Sequence, residues 1–422
     1  MYIYVVKEGD TVNDIAQMYG VSTARLLYDN EIFNGQIVPG QALIVLVPAF
    51  LYEVNEGDTL YAIANNFGVT VNDILRNNSY LLNESFLLPG RELVIEYEKN
   101  DGDLLKNKDI FGYAYPFIRE DVLEEACLYI NELLPFSYGF NNDGNLIMLN
   151  DDNLLQTAKR FENNKRMVLT PLDSNGRFNN MLVAALLSDS TMQENLIENI
   201  LIAVKNKEYN GVDIDFEFIP GQYRNEYVSF IRSVKERLNE EGLTVNVALP
   251  PKISDEQTGL LYEGIDYAGL GKAADTVLLM TYEWGYKYGP PMAVAPIPSV
   301  RRVLDYAVSR IEASKIYMGI PNYAYDWPLP YEKGVTVAET IGNTEAVRRA
   351  FTYGTNIIYD ENAKSPYYNY IVNGVEHVVW FEDVRSIEEK YILIKEYGFR
   401  GAGYWNLMRE FRQNWLFVNQ IL

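Results

Sequence analysis

An α/β fold, a (β/α)8 barrel of the TIM type with one insertion, preceded by two small β-α-α-β domains, is predicted by three observations. From about Ile110 to the C-terminus, strand-like and helix-like segments alternate, as in parallel α/β folds. Eight strand candidates fall in that stretch of roughly 310 residues, a length that suits such a barrel with one insertion. Ahead of it one short motif occurs twice, the mark of tandem small domains.

The repeats come first. Val6-Lys7-Glu8-Gly9-Asp10-Thr11-Val12 recurs as Val54-Asn55-Glu56-Gly57-Asp58-Thr59-Leu60, Ile15-Ala16 as Ile63-Ala64, Gly20-Val21 as Gly68-Val69 and Asn30 as Asn78. The spacing then lengthens by two residues, because Val38-Pro39-Gly40 matches Leu88-Pro89-Gly90. Each unit reads strand, helix, helix, strand. Asp10 and Asp58 precede helical apolar spacing and are placed to cap it. Gly20 and Gly68 suit helix stops. The closing strands are expected at 42–47 and 92–97, giving domains at 1–48 and 49–98. Glu98-Lys99-Asn100-Asp101-Gly102-Asp103 is polar and reads as a linker, taken as 99–109, that tethers the repeats to a barrel spanning 110–422.

Barrel strands are expected at 111–117, 132–140, 167–172, 211–217, 244–249, 276–282, 315–321 and 401–405. After the fourth, Tyr227, Phe230, Ile231, Val234 and Leu238 form one apolar helical stripe ended by Gly242. The insertion lies between strands seven and eight, at about 328–380. Within it two strand-like runs flank Asn373-Gly374, a two-residue hairpin signal.

Composition narrows the function classes. The chain has 422 residues, enough for two or three domains and a large core. Its 36 basic and 58 acidic residues give a net charge of −22, which argues against nucleic acid and against an anionic membrane surface. The single cysteine, Cys127, excludes an internal disulfide and a multi-thiolate metal site, and suits a small buried apolar position. The single histidine, His377, sits in a strand-like run and reads as a surface or packing residue. No apolar run is long enough to span a bilayer. The first seven residues lack the basic and apolar regions of a signal peptide, so export by the usual signal is not expected if Met1 is the natural start.

The run Asn210-Gly211-Val212-Asp213-Ile214-Asp215-Phe216-Glu217 carries the chemistry. Strand side chains alternate, so Asp213, Asp215 and Glu217 share one face and Val212, Ile214 and Phe216 the other. Clustered carboxylates raise one another's pKa, which suits a site that holds and delivers a proton, as a glycosidase does. An acidic strand edge facing water has the same periodicity. An oxygen-ligand metal site is a third reading, without the loop glycine pattern that would favour it.

The string resembles the D-G-x-D-x-D-x-E signature of family-18 glycoside hydrolases. Asn210 replaces the usual first aspartate and Phe216 the frequent tryptophan. The resemblance implies that Glu217 is the catalytic acid, with Asp215 and Asp213 as supporting aspartates. Met280-Thr281-Tyr282-Glu283 resembles the family's M-x-Y-D/E motif, which implies that Tyr282 contacts the substrate's acetamido group and Glu283 lies beside it. Gly403-Tyr404-Trp405 matches the segment whose tryptophan lies under the sugar, so Trp405 is expected to bind substrate. Tyr323 and Trp327 are placed to extend that aromatic lining, and Tyr325 stands where the family often has arginine. A retaining glycosidase ordinarily needs a second carboxylate about 5–5.5 Å from the acid. Asp215 shares Glu217's strand face and is badly placed for backside attack. The family's answer is substrate assistance, in which the 2-acetamido oxygen attacks C1 and no metal or organic cofactor is required.

The repeats resemble LysM modules, which bind N-acetylglucosamine-containing glycans between the loop after the first strand and the loop before the last. The resemblance therefore implies glycan contacts at Gly9, Asp10, Thr11, Ile37 and Val38, and at Gly57, Asp58, Thr59, Phe86 and Leu87. Thr170-Pro171-Leu172-Asp173 replaces the family's S-x-G-G after strand three. That divergence, with Tyr282-Glu283-Trp284-Gly285 and the run from Gly289 to Pro296, resembles the branch of the family that cuts bacterial spore cortex. Such a chain is expected to act on peptidoglycan or another GlcNAc-containing polysaccharide, to be made in the mother-cell cytoplasm and to be assembled onto the spore, where coat proteins are potential partners. A chitinase and a non-catalytic chitinase-like lectin are the competing readings.

Overall fold

A computed structural model describes residues 1–84, 86–98, 105, 108–173 and 176–421. Eight parallel strands close into a barrel: Asp109–Ala114, Glu132–Pro135, Asn164–Leu169, Gly211–Ile214, Thr244–Leu249, Thr276–Leu279, Ile316–Pro321 and Gly401–Trp405. The last pairs with the first, so no edge is left open. Every expected strand is present. Most expected upper ends are too long, because the chain leaves the ladder there to build the rim. The second strand stops at Pro135, and Gly139–Phe140 instead pairs with Leu146–Ile147 in a separate hairpin.

Inside the barrel, Phe111, Tyr113, Leu134, Val168, Leu278 and Tyr317 form an apolar layer. Outside, the helix Arg224–Asn239 buries the expected stripe of Tyr227, Phe230, Ile231, Val234 and Leu238. Phe216 stacks there against Tyr227 and Phe230 with ring centroids 6.1 and 6.2 Å apart. That packing fixes which face of the acidic run points inward.

The insertion begins earlier than expected. Ala324–Pro328 already belongs to a five-stranded antiparallel sheet, between Glu339–Ile341 at the edge and the central Val375–Trp380, followed by Ser365–Val372 and Ile358–Asp360, and backed by the helix Asn343–Thr352. Its hairpin turns at Asn373 (φ 51°) and Gly374 (φ 78°), the left-handed pair that a tight two-residue turn requires. His377 packs in this sheet, its ring Nδ1 2.8 Å from Asp326 Oδ1. Cys127 is buried.

Each N-terminal repeat pairs its first and last strands antiparallel, Tyr2–Val5 with Ala42–Val45 and Pro48–Glu53 with Glu92–Tyr97. The recurring asparagines clamp the second helix to the closing strand. Asn30 Nδ2 donates to Leu26 O and Ile44 O, and Asn78 Nδ2 donates to Ile74 O and Val94 O. The expected caps are off by one residue. Thr11 and Thr59 accept from the helix N–H groups. Asp10 and Asp58 instead close the preceding turns, accepting from Lys7 N and Tyr4 Oη, and from Asn55 N and Tyr52 Oη.

The repeats are not tethered loosely. Ala42, Ile44, Leu46, Val94 and Tyr97 belong to the same apolar core as the barrel helices. Arg412 donates to Glu125 Oε1 (2.6 Å) and to Tyr28 O (3.0 Å), and Gln413 donates to Asn30 Oδ1 and Ala42 O (2.9 Å each). Most of the expected linker lies outside the described residues. Leu105 within it is buried in that core, and its N–H donates to Ile421 O.

Candidate active site

The acidic run rises from the fourth strand, which ends at Ile214. Asp215 N still donates to Leu169 O (3.0 Å), so the pleat carries on past the strand and aims Asp213, Asp215 and Glu217 at the barrel axis. Asp213 is fully buried and Asp215 nearly so, which removes the reading of a wetted acidic edge. Val212, Ile214 and Phe216 are fully buried on the opposite face.

Above them opens a cleft of about 370 Å³, lined by Asp215, Glu217, Tyr282, Glu283, Trp405 and Trp284, with Tyr113, Tyr115, Phe136, Met280 and Tyr262 among its other walls. Of the residues expected from sequence, Glu217, Asp215, Tyr282, Glu283 and Trp405 therefore come together, with Asp213 beneath them. Trp405 leans on Phe136, Tyr113 and Tyr115 with centroids 4.8, 5.4 and 6.2 Å away, all near edge-to-face. This cluster fixes the indole as a floor.

Two expectations are corrected. Trp327 is wholly buried, its indole N–H donating to Gly289 O (3.0 Å), and it does not reach the cleft. Tyr323 is buried behind the site, where it and Tyr325 both donate to Glu283 Oε1, Tyr325 at 3.0 Å. The alternation Tyr323, Tyr325, Trp327 is real, with successive centroids 5.4 Å apart. The segment carrying it leaves the barrel for the insertion sheet, so only its start stays near the site.

Sequence reasoning missed Tyr113 and Asn246. Tyr113 Oη donates to Asp213 Oδ2 (2.8 Å), and Asn246 Nδ2 donates to Asp213 Oδ1. Thr276 Oγ1 in turn donates to Asn246 Oδ1 (2.7 Å), which orients the amide. Burial pushes Asp213 up to about 6, against the pull of these two donors. Asp215 is pushed well above the usual carboxylate range by burial, then by the charges of Glu217 and Asp213. Its Oδ1 has no hydrogen-bond partner among the described residues. Burial, then the charge of Glu283, raises Glu217.

Glu283 has φ 68° and Phe218, next to Glu217, φ 56°, left-handed conformations that cost a residue with a side chain about 1–3 kcal/mol. Strain at both flanks of the site is held by the surrounding packing. Because the charge of Glu283 favours the protonated form of Glu217, Glu283→Gln should lower the pKa of the acid. The alkaline limb of the pH–rate profile should move to lower pH. A limb that stays in place or moves up would contradict that coupling.

In the first repeat Gly9 and Thr11 are exposed and Ile37 half-buried, while Val38 is buried against the insertion and so is not available to a glycan. In the second, Gly57, Thr59 and Phe86 are exposed and Leu87 half-buried. The oxygens of Asp10 and Asp58 that close the turns serve the repeats' own structure.

A parallel barrel with a buried carboxylate ladder at the C-terminal end of its fourth strand, under an aromatic-floored cleft, has the build of a glycosidase. Residues 138–410 match the family model for glycosyl hydrolases family 18, and residues 4–45 and 52–96 each match the LysM domain. The chain belongs to glycosyl hydrolases family 18 and carries two LysM domains. It is 37% identical over 421 residues to the cortical fragment-lytic enzyme of Bacillus subtilis (strain 168), covering 99% of this chain and 97% of that one. The crystal structure of the spore cortex-lytic enzyme SleL of Bacillus megaterium QM B1551 superposes with TM-score 0.83 at 36% identity, covering 99% and 97% of the two chains. A chitinase from Chromobacterium violaceum superposes with TM-score 0.69 at 25% identity, over 74% of this chain and 98% of that one.

Proposed function

We propose that this chain hydrolyses N-acetylglucosamine linkages in bacterial peptidoglycan, spore cortex in particular, with retention at C1 and with the substrate's own acetamido group as nucleophile. The observation that carries the mechanism is Asp215: buried, on Glu217's own wall, with one oxygen unpartnered among the described residues. The substrate assignment is supported by full-length likeness to the cortical fragment-lytic enzyme and to SleL.

Glu217 donates its proton to the glycosidic oxygen as the C1–O bond breaks. The acetamido carbonyl oxygen bonds to C1 and gives an oxazolinium ion. Asp215 accepts the hydrogen bond of the acetamido N–H and balances the positive charge that develops there. Tyr282, which lines the cleft, holds the acetamido carbonyl in line. Asp213, fixed by Tyr113 and Asn246, tunes the protonation of Asp215. Ionised Glu217 then takes a proton from water, the water oxygen bonds to C1, and the ring opens back to the acetamide. Trp405 stacks under the sugar throughout.

Asp215→Asn should lower turnover by about 10²–10³-fold, the scale of losing one positioned transition-state contact. An N-acetylglucosamine thiazoline that mimics the oxazolinium ion should inhibit the native protein. Cleavage of a substrate lacking the 2-acetamido group would overturn the mechanism. The substrate is tested by mass spectrometry of products from defined GlcNAc-MurNAc, muramic-lactam and chitin oligomers. Faster cleavage of chitin than of wall fragments would favour the chitinase reading, which the Chromobacterium likeness supports.

Among the described residues no helix is long and apolar enough to cross a membrane. The proposed site of action also implies synthesis in the mother cell and assembly onto the spore, with coat proteins as neighbours. Fractionation of spores should place the protein in the coat or cortex fraction.

A further inference from the structure

The two LysM domains share a motif but not their surroundings. Val38-Pro39-Gly40 of the first corresponds to Leu88-Pro89-Gly90 of the second. Val38 is 5% exposed, in an apolar cluster with Ile357, Tyr368 and Phe381 of the catalytic domain, while Leu88 is 44% exposed. Pro39 O accepts from Ile357 N (2.9 Å) and Gly40 O from Arg385 Nη2 (3.1 Å). A Cβ on Gly40 would lie 1.8 Å from Ile357 O, whereas the same position on Gly90 has nothing within 4 Å. The last loop of the first domain is thus docked edge-on against the insertion, with its apolar side chain buried and backbone acceptors engaged. The corresponding loop of the second is two residues longer and presents Phe86, 71% exposed, where the first has Gln36.

The first domain has other attachments as well. Glu31 accepts from Thr344 Oγ1 (2.9 Å) and Arg412 N (3.0 Å), and Arg25 donates to Asn77 O (2.8 Å) and Tyr97 Oη (2.9 Å) of the second domain. It touches the insertion, the C-terminal helix and its sister domain at once.

We infer that the two LysM domains divide the work. The second alone holds the polymeric GlcNAc-containing glycan, through its long loop around Phe86 and Leu87, and the first is a bracket that joins the second domain and the insertion to the barrel. Hydrogen-bond acceptors and apolar surface already engaged within the chain are not open to a sugar, and an exposed aromatic ring beside exposed backbone is what a sugar face stacks on. The inference rests on the reading of these domains as glycan-binding and assigns that role to one of them.

The test compares matched double variants in the full chain, Phe86→Ala with Leu87→Ala and Gln36→Ala with Ile37→Ala, for retention on insoluble peptidoglycan. Circular dichroism and thermal melting confirm that each is folded. The second-domain variant should lose at least about tenfold in bound-to-free ratio, the scale of a contact worth 1.4 kcal/mol, and the first-domain variant less than about twofold. Equal losses, or a larger loss from the first domain, overturn the division while leaving glycan binding by LysM domains standing. No loss from either variant, nor from both combined, overturns the glycan-binding reading and the division with it.

Discussion

Glu217→Gln should reduce hydrolysis by about three orders of magnitude or more while leaving fold and glycan binding nearly intact. Glutamine keeps the shape and hydrogen-bonding capacity of the protonated acid but has no proton to give. The folded protein raises the pKa of Glu217 by burial, then by the charge of Glu283. For such an acid the stability of the buried neutral form is fully present below the unfolded pKa and is lost as pH rises through the folded one. A permanently neutral amide escapes that loss, so the variant should be at least as stable as the native chain near neutral pH. Residual turnover close to native would remove Glu217 from the role. A variant that melts well below the native protein would show that its charge is structural.

Removing residues 1–98 should destabilise the barrel, not merely detach it from insoluble wall. The sequence suggests tethered domains whose loss leaves the barrel untouched. The structure gives the barrel partners that would vanish: Ala42, Ile44, Leu46, Val94 and Tyr97 from its apolar core, and the Asn30 and Ala42 acceptors of Gln413. Glu125 and Arg412 would keep each other but lose Ser79 and Tyr28 O. Newly exposed apolar surface and unpaired polar groups together amount to several kcal/mol. The barrel alone should melt about 5 °C or more below the full chain by scanning calorimetry, besides losing retention on peptidoglycan. Identical melting of the two would show that the interface contributes little.

The barrel was legible because its signals are local. Parallel strands buried on both faces read as apolar runs, and the helix after strand four shows its stripe in five residues. Hairpin and repeat were equally plain, because Asn373-Gly374 and the Gly-Asp-Thr motifs are turn chemistry written in adjacent residues. Closure of the barrel was not local. Tyr113 lies on strand one and reaches Asp213 only because the sheet curls round, while Asn246 meets it as the in-register neighbour on strand five, and no spacing along the chain announces either contact. Trp327 differs for another reason: it follows strand seven closely in sequence, but the segment that carries it has already left the barrel for the insertion sheet. The caps failed by one residue, since aspartate and threonine stand side by side and either can accept from a helix N–H.

The docking of the LysM domains has a mechanical consequence. An enzyme whose anchor swings on a flexible leash samples many bonds around each point of attachment. Here the LysM domains and the cleft belong to one packed body, so a glycan gripped at Phe86, as we propose, would meet the cleft at one fixed separation. On that proposal the molecule would act as a caliper: cuts would fall at a set reach from the grip, and the grip would have to let go before the next length is measured.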